Sequence, residues 1–280
     1  MVQFIRQDVL TASEISGLQG VDVAFHGSDT LDDRSKHSVK ISRSIGRRHV
    51  LVEYDPANFE LVLNGKRYRS DSLEDIPREY KANSIVLDAT TMEFPEIVLI
   101  LHAYNMLMSR PRCGFIYVEP ERYKRKPPEE AVAQGAAFNL SSGSRAKNAI
   151  PPFTRMLSGT NKAHLVAFLG FEGGRLSRIL NDDDGHFYQK VTIVFGVPPF
   201  QATWDLHALF ANSRLLDSSN AQVQYCGANN PRASYSLLEK VHRASRGLDG
   251  QAGRRPVWDK ANGTGCRTAL HRKSANAGGL

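Results

Sequence analysis

One pattern recurs along this chain of 280 residues: a short apolar run, a turn of small or polar residues, then a helix-like stretch. Its clearest instance runs from Ser84-Ile85-Val86-Leu87 into Asp88-Ala89-Thr90-Thr91 and on to a helix over about Phe94 to Met108. Pro95 stands near the start of that helix, where a missing N–H does no harm. Apolar residues cover nearly all of its faces, the pattern of a helix packed deep against a sheet. Arg110-Pro111 stops it, and Gly114-Phe115-Ile116-Tyr117-Val118 opens the next strand. Two strands joined by a helix of this length form a βαβ unit and pair in parallel.

The rhythm extends in both directions. Val21 to Phe25 and His49 to Tyr54 read as strands before this unit, and Asn64-Gly65 marks a tight hairpin within Phe59 to Tyr68. After it come strands at His164 to Leu169, Lys190 to Phe195 and Ala221 to Tyr225, with helices through Leu180, from Thr203 to Phe210 and from Ala233 to Ala244. Strand alternating with helix predicts an α/β fold with a Rossmann-like, mostly parallel, doubly wound sheet. The segment from Tyr123 to Phe153, with Lys124-Arg125-Lys126-Pro127-Pro128 and Ser141-Ser142-Gly143-Ser144, breaks the pattern. The expected division is therefore a first half over 1–122, a crossover loop or linker over 123–153, and a second half over 154–246. That second half belongs to the same sheet or forms a second small domain, and a basic tail follows over 247–280.

No apolar run reaches the roughly 18–20 residues that cross a bilayer. Met1 to Arg6 does not resemble a secretory signal. Cys113, Cys226 and Cys266 have no metal-ligand spacing, so no metal site is expected, and free thiols point to the cytoplasm. The formal charge is +7, and the stretch from Arg243 onward holds eight Lys and Arg against Asp249 and Asp259, leaving +6 there. The basic balance thus describes a tail, and a nucleic-acid partner is expected only if that tail is genuine.

The tail itself has two readings. It is poor in large apolar residues, as a disordered basic extension would be. Alternatively it is not in the native reading frame. Read one nucleotide later, the codons of Gln251 to Thr268 permit Lys-Pro-Val-Val-Ala-Pro-Phe-Gly-Thr-Lys-Pro-Met-Ala-Leu-Gly-Ala-Ala-Leu. In that frame Trp258 forces Gly, Lys260 forces Lys or Arg, and Cys266 forces Ala or Val. The result is a strand, a turn and an apolar helix, the unit this rhythm demands next. Burial of Trp258 in a sheet would argue against it.

Ligands of open parallel sheets bind beyond the carboxyl ends of the strands. The best phosphate-type loop there is Gly170-Phe171-Glu172-Gly173-Gly174-Arg175, where small residues expose amides at a helix N-terminus and Arg175 offers a counter-ion. The plainer reading has the glycines making a turn and Glu172 capping the helix. Asp88 could hold a ribose or a metal, with Thr90 and Thr91 contacting phosphate, or Thr91 or Glu93 could simply cap the following helix. Ser28 and Asp29, with Arg34, form a polar cluster after the first strand. Glu119 and Glu121 flank Pro120, and such a pair can do acid–base work or hold a metal, although acidic loop residues usually face solvent. Asn229 and Asn230 could read a base edge or ribose, although Asn-Asn-Pro also leads from loop to helix. His26 is the one histidine at a strand end that invites a test.

The expected catalytic candidates are thus Asp88, Glu119 and Glu172. The expected ligand-binding set is Ser28, Asp29, Thr90, Thr91, Gly170, Gly173, Arg175, Asn229 and Asn230. The sequence names no cofactor. It favours a protein that binds a nucleotide or other phosphorylated small molecule as a sensor, signalling through an oligomer interface, over a nucleotide hydrolase or transferase or a non-catalytic part of a complex.

Overall fold

A computed structural model describes residues 20–28, 32–120, 123, 138, 150–154, 163–181, 188–218 and 221–248. These fall into two compact units. The first holds the described residues up to Pro120 together with Ile150–Phe153, and the second holds Tyr123, Phe138 and the described residues from Thr154 on. The first two residues of the expected tail, Gly247 and Leu248, are helical; the rest of it, Trp258 included, and most of the segment between Tyr123 and Phe153 lie outside the described residues.

The first unit is α/β. Its elements are β1 (Val21–His26), α1 (Asp33–Ile45), β2 (Gly46–Asp55), β3 (Glu60–Leu63), β4 (Lys66–Arg69), α2 (Asp75–Glu79), β5 (Ser84–Asp88), α3 (Phe94–Asn105) and β6 (Arg112–Ile116). They build a mostly parallel six-stranded sheet in the order β4-β3-β2-β1-β5-β6. β2, β1, β5 and β6 run parallel, while β3 and β4 add an antiparallel hairpin at one side. Its turn is the predicted Asn64-Gly65, with φ of 48° and 83°, the two left-handed residues that such a turn demands.

Both faces of this sheet are covered. On one, α1 lays Ser35, Ser38, Val39 and Ser42 against the sheet, and Gly46 lets β2 approach Ala24. On the other, Phe25 meets the rings of Tyr80 and Tyr104 edge-on, at 6.2 and 6.1 Å. The core between is apolar and closed: Val23, Phe25, Leu61, Leu63, Leu87, Ile97 and Leu99 have essentially no exposure. The α3 helix stops at Asn105, three residues before the expected Met108, which is fully exposed. Arg110 donates to the Asn105 carbonyl there. The two helices α1 and α2 carried no apolar pattern strong enough to place them from sequence; three of the six buried side chains of α1 are serines.

The second unit contains β7 (Ala163–Phe168), α4 (Gly174–Asn181), β8 (Tyr188–Gly196), α5 (Trp204–Ser218), β9 (Gln222–Cys226) and α6 (Pro231–Leu248). Its three strands are parallel, in the order β7-β8-β9. Leu165, Ala167, Ile193 and Phe195 face Leu176 and Ile179 of α4 and Ala208 and Leu215 of α5. Val166, Val194 and Cys226 face Leu238 of α6, with Leu237 and Val241 beside it. Alternate strand residues point to opposite faces, so α4 and α5 share one face and α6 takes the other. None of the helices is long and apolar enough to cross a membrane, among the described residues.

Candidate functional site

In the first unit β1 pairs with β2 on one side and β5 on the other, while β5 leads on to β6. Chain progression therefore turns between β1 and β5, where open α/β sheets form their crevice. The structure brings four sequence-predicted residues to this point: Ser28 after β1, and Asp88, Thr90 and Thr91 at the end of β5. Asp29 lies outside the described residues.

Asp88 is fully buried. Its Oδ1 accepts from Ser38 Oγ of α1 at 2.6 Å and from the Thr90 amide at 2.9 Å, and its Oδ2 accepts from Thr91 Oγ1 at 2.8 Å. Thr91 Oγ1 in turn accepts from the Gly27 amide at 2.9 Å, and Thr90 Oγ1 from the Val118 amide at 2.8 Å. This carboxylate thus ties β5 to α1, and through the threonines to the ends of β1 and β6. Gly27 is required by space: a Cβ there would stand 2.3 Å from the Thr91 carbonyl oxygen.

The helix N-termini of this unit are already neutralised. Asp32 caps α1, its Oδ1 accepting from the Ser35 amide at 2.8 Å, while Arg34 bonds its Oδ2 at 2.9 Å. Glu93 and Glu96 form a reciprocal capping box on α3. Carboxylates in the first turn occupy the positive end of a helix dipole and repel a second anion.

His26 is 2% exposed. Its Nδ1 donates to the Gly27 carbonyl at 2.9 Å, which leaves Nε2 as a bare lone pair, buried and without a partner among the described residues. Burial lowers the pKa of this imidazole below its ordinary value, against a smaller opposing effect of the Gly27 bond. Glu119, after β6, is exposed, and its carboxyl lies above its ordinary pKa through partial desolvation.

In the second unit Gly170, Glu172 and Gly173 follow β7. Gly173 is buried, and a Cβ there would fall 1.8 Å from the Ala211 carbonyl oxygen of α5. Asn212 Nδ2 donates to the Gly170 carbonyl at 2.9 Å and to Ala208 at 2.7 Å, pinning the loop to α5. Phe171 is buried, 5.6 Å from Trp204 and 5.1 Å from Phe138 by ring centroids. The loop is therefore rigidly seated. Helix α4 begins at exposed Gly174 with no acidic residue in its first turn, and position 175 of that turn is arginine. The Arg175 side chain lies outside the described part of the structure.

Asn229 and Asn230 are exposed at the carboxyl end of β9. Asn230 Oδ1 accepts from the Ala233 amide at 2.9 Å, so this side chain caps α6, and Pro231 follows at the position where proline is best tolerated. The first turn of α6 also lacks acids. The loops after β8 and β9 are tied together by the Ala228 amide donating to the Pro198 carbonyl at 2.9 Å.

The three expected catalytic carboxylates do not share one environment. Asp88 is buried and bonded in the first unit, Glu119 is exposed there, and Glu172 is half-buried in the second. Among the described residues no three of His, Cys, Asp and Glu are grouped to hold a metal ion. Sequence reasoning missed Ser38 and Asn212. The first had a signal: Ser35, Ser38 and Ser42 recur on one helical face. Asn212 lies in a stretch with no local cue. Compared with known protein families, curated proteins and solved structures, the chain matches none.

Proposed function

We propose that this protein binds a nucleotide or another phosphorylated small molecule at the carboxyl ends of the strands in its second unit, as a sensor that does not turn the ligand over. The observation that carries this reading is the contrast between helix N-termini. Those of α1 and α3 hold Asp32 and Asp33, and Glu93 and Glu96, whereas α4 opens at Gly174 with no acid in its first turn. Gly173 has no side chain to accept the first amides of α4, so those amides suit the oxygens of a phosphate. Ser28, Thr90 and Thr91 belong on this reading to the frame of the first unit, as does Asp88, whose oxygens are already engaged. Binding without turnover agrees with that engagement.

The reading treats both sheets as Rossmann-like and doubly wound, since each has helices on both faces. It places the protein in the cytoplasm, where Cys113 and Cys226 remain thiols. The test is thermal unfolding of the full chain with inorganic phosphate and with nucleoside mono-, di- and triphosphates. A ligand at a hundredfold excess over its dissociation constant stabilises by about 2.7 kcal/mol. Arg175→Ala abolishes the shift while leaving the unliganded midpoint in place, whereas Glu172→Ala, which removes a carboxylate just ahead of the α4 amides, retains or enlarges it. A ligand response unchanged in Arg175→Ala, or hydrolysed product in the mixture, defeats the reading.

A further inference from the structure

β7 stands at one end of the three-stranded sheet and β9 at the other, yet the two strands are built differently. β9 is Gln-Val-Gln-Tyr-Cys, with its first four residues exposed, Tyr225 at 68%. Polar residues and exposure suit a true edge. β7 is Ala-His-Leu-Val-Ala-Phe, with Leu165, Val166 and Ala167 at 0–2% exposure. A continuous apolar run buried on both faces is the pattern of an interior parallel strand.

The helices give the direction. α4 and α5 carry the chain from β7 to β8 to β9 along one face. α6 packs on the opposite face. Parallel crossovers share one hand, so a helix on the opposite face carries the chain back the other way. The position of α6 agrees: Ser245, in its last turn, lies 2.8 Å from His164 Nδ1 of β7, so the helix that leaves β9 ends over β7. The next strand of this sheet belongs beyond β7.

We propose that the edge of β7 away from β8, which pairs with no other strand among the described residues, seats a fourth parallel strand, encoded one nucleotide out of register in the codons of Gln251 to Thr268. In that frame the codons permit the apolar run Val-Val-Ala-Pro-Phe, opening at the codon of Gly253 with four residues between it and Leu248, an ordinary length for a helix-to-strand loop. The strand is followed by Gly-Thr-Lys-Pro and an apolar helix. Its arrival makes β7 an interior strand, as its sequence requires. It also sets the turning point of the sheet between β7 and the new strand, so that Gly-Thr-Lys-Pro stands beside the loop from Gly170 to Gly173. The placement of the strand does not depend on what that loop binds.

The test compares the full 280-residue chain with the chain made from the same gene after removal of one nucleotide ahead of the Gln251 codon. The gene itself is read first: the shifted codons are expected to give the apolar run without a stop, and a stop or a charged run there overturns the proposal. Amide hydrogen exchange is then followed in both chains. The expected result is that β7 amides exchange about tenfold or more slowly in the shifted chain while β9 amides keep their rates. Equal β7 protection in the two chains overturns the proposal, and so does new protection at β9 instead of β7.

Discussion

Ser38 and Asp88 are fifty positions apart in the chain, and the hydroxyl of one donates to the carboxylate of the other across 2.6 Å of buried space. Both residues are fully buried. A carboxylate in such a place is tolerable only when hydrogen bonds replace the water it has lost. Here Ser38, the Thr90 amide and Thr91 do so, and the cluster joins a helix to the ends of three strands. An acidic residue at the end of a parallel strand thus serves here to brace the crevice.

Asp88→Ala should accordingly act on stability. It leaves the Ser38 and Thr91 hydroxyls and the Thr90 amide without their acceptor, a loss of about 3 kcal/mol or more. Chemical denaturation followed by far-ultraviolet dichroism measures it. A change under about 0.5 kcal/mol would show that the cluster is not bracing the fold.

The glycines separate by what stands beside them. Gly173→Ala and Gly27→Ala drive a methyl against the Ala211 and Thr91 carbonyls, so each should cost about 1–3 kcal/mol. Gly174→Ala meets nothing within 4 Å and replaces a poor helix former with the best one, so its unfolding midpoint should hold or rise. Thermal melts of the three variants give the ordering.

His26 sets a pH dependence. Its folded pKa lies below the unfolded value of about 6.5, so the unfolded chain takes up a proton first as pH falls. The stability associated with neutral His26 is complete well above 6.5 and declines as pH drops below it toward the folded pKa. His164, also lowered mainly by burial, adds a slope of the same sign in the second unit. Denaturation midpoints between pH 7.5 and 5 should fall, and His26→Leu should flatten that slope; an unchanged slope would show that His26 is not its source.

Asn230→Ala removes the acceptor for the Ala233 amide at the start of α6 and should lower stability by about 1 kcal/mol. Hydrogen exchange should locate the loosening in the first turn of that helix. Rates unchanged there would mean that the cap contributes nothing.

The α/β character was legible because parallel strands are apolar throughout and the chain writes them as separate short runs, as at Ser84 to Leu87 and His164 to Leu169. Asn64-Gly65 was legible for a local reason, the left-handed backbone that both residues accept. Helix α1 was hidden because its sheet-facing side carries serines, of which Ser38 is held by hydrogen bonds to Asp88 and Thr90, residues distant in sequence. At the candidate site, the gathering of Asp88, Thr90 and Thr91 followed from the strand end itself. The work done by Gly173 did not, because the atom that requires a glycine, the Ala211 carbonyl oxygen, belongs to a helix almost forty residues further on. The double duty of Asn230, exposed yet committed to a cap, could be read from Asn-Asn-Pro, and the structure supports that plainer half of the reading.

The most direct test of the account is a phosphorus NMR titration of the full chain with nucleoside triphosphates and inorganic phosphate, repeated with Arg175→Ala. The account predicts that at least one probe broadens or shifts on adding the protein, that the same probe is unaffected by the variant, and that it is recovered intact. Resonances unchanged by the parent chain for every probe, or the appearance of product phosphate, would contradict it.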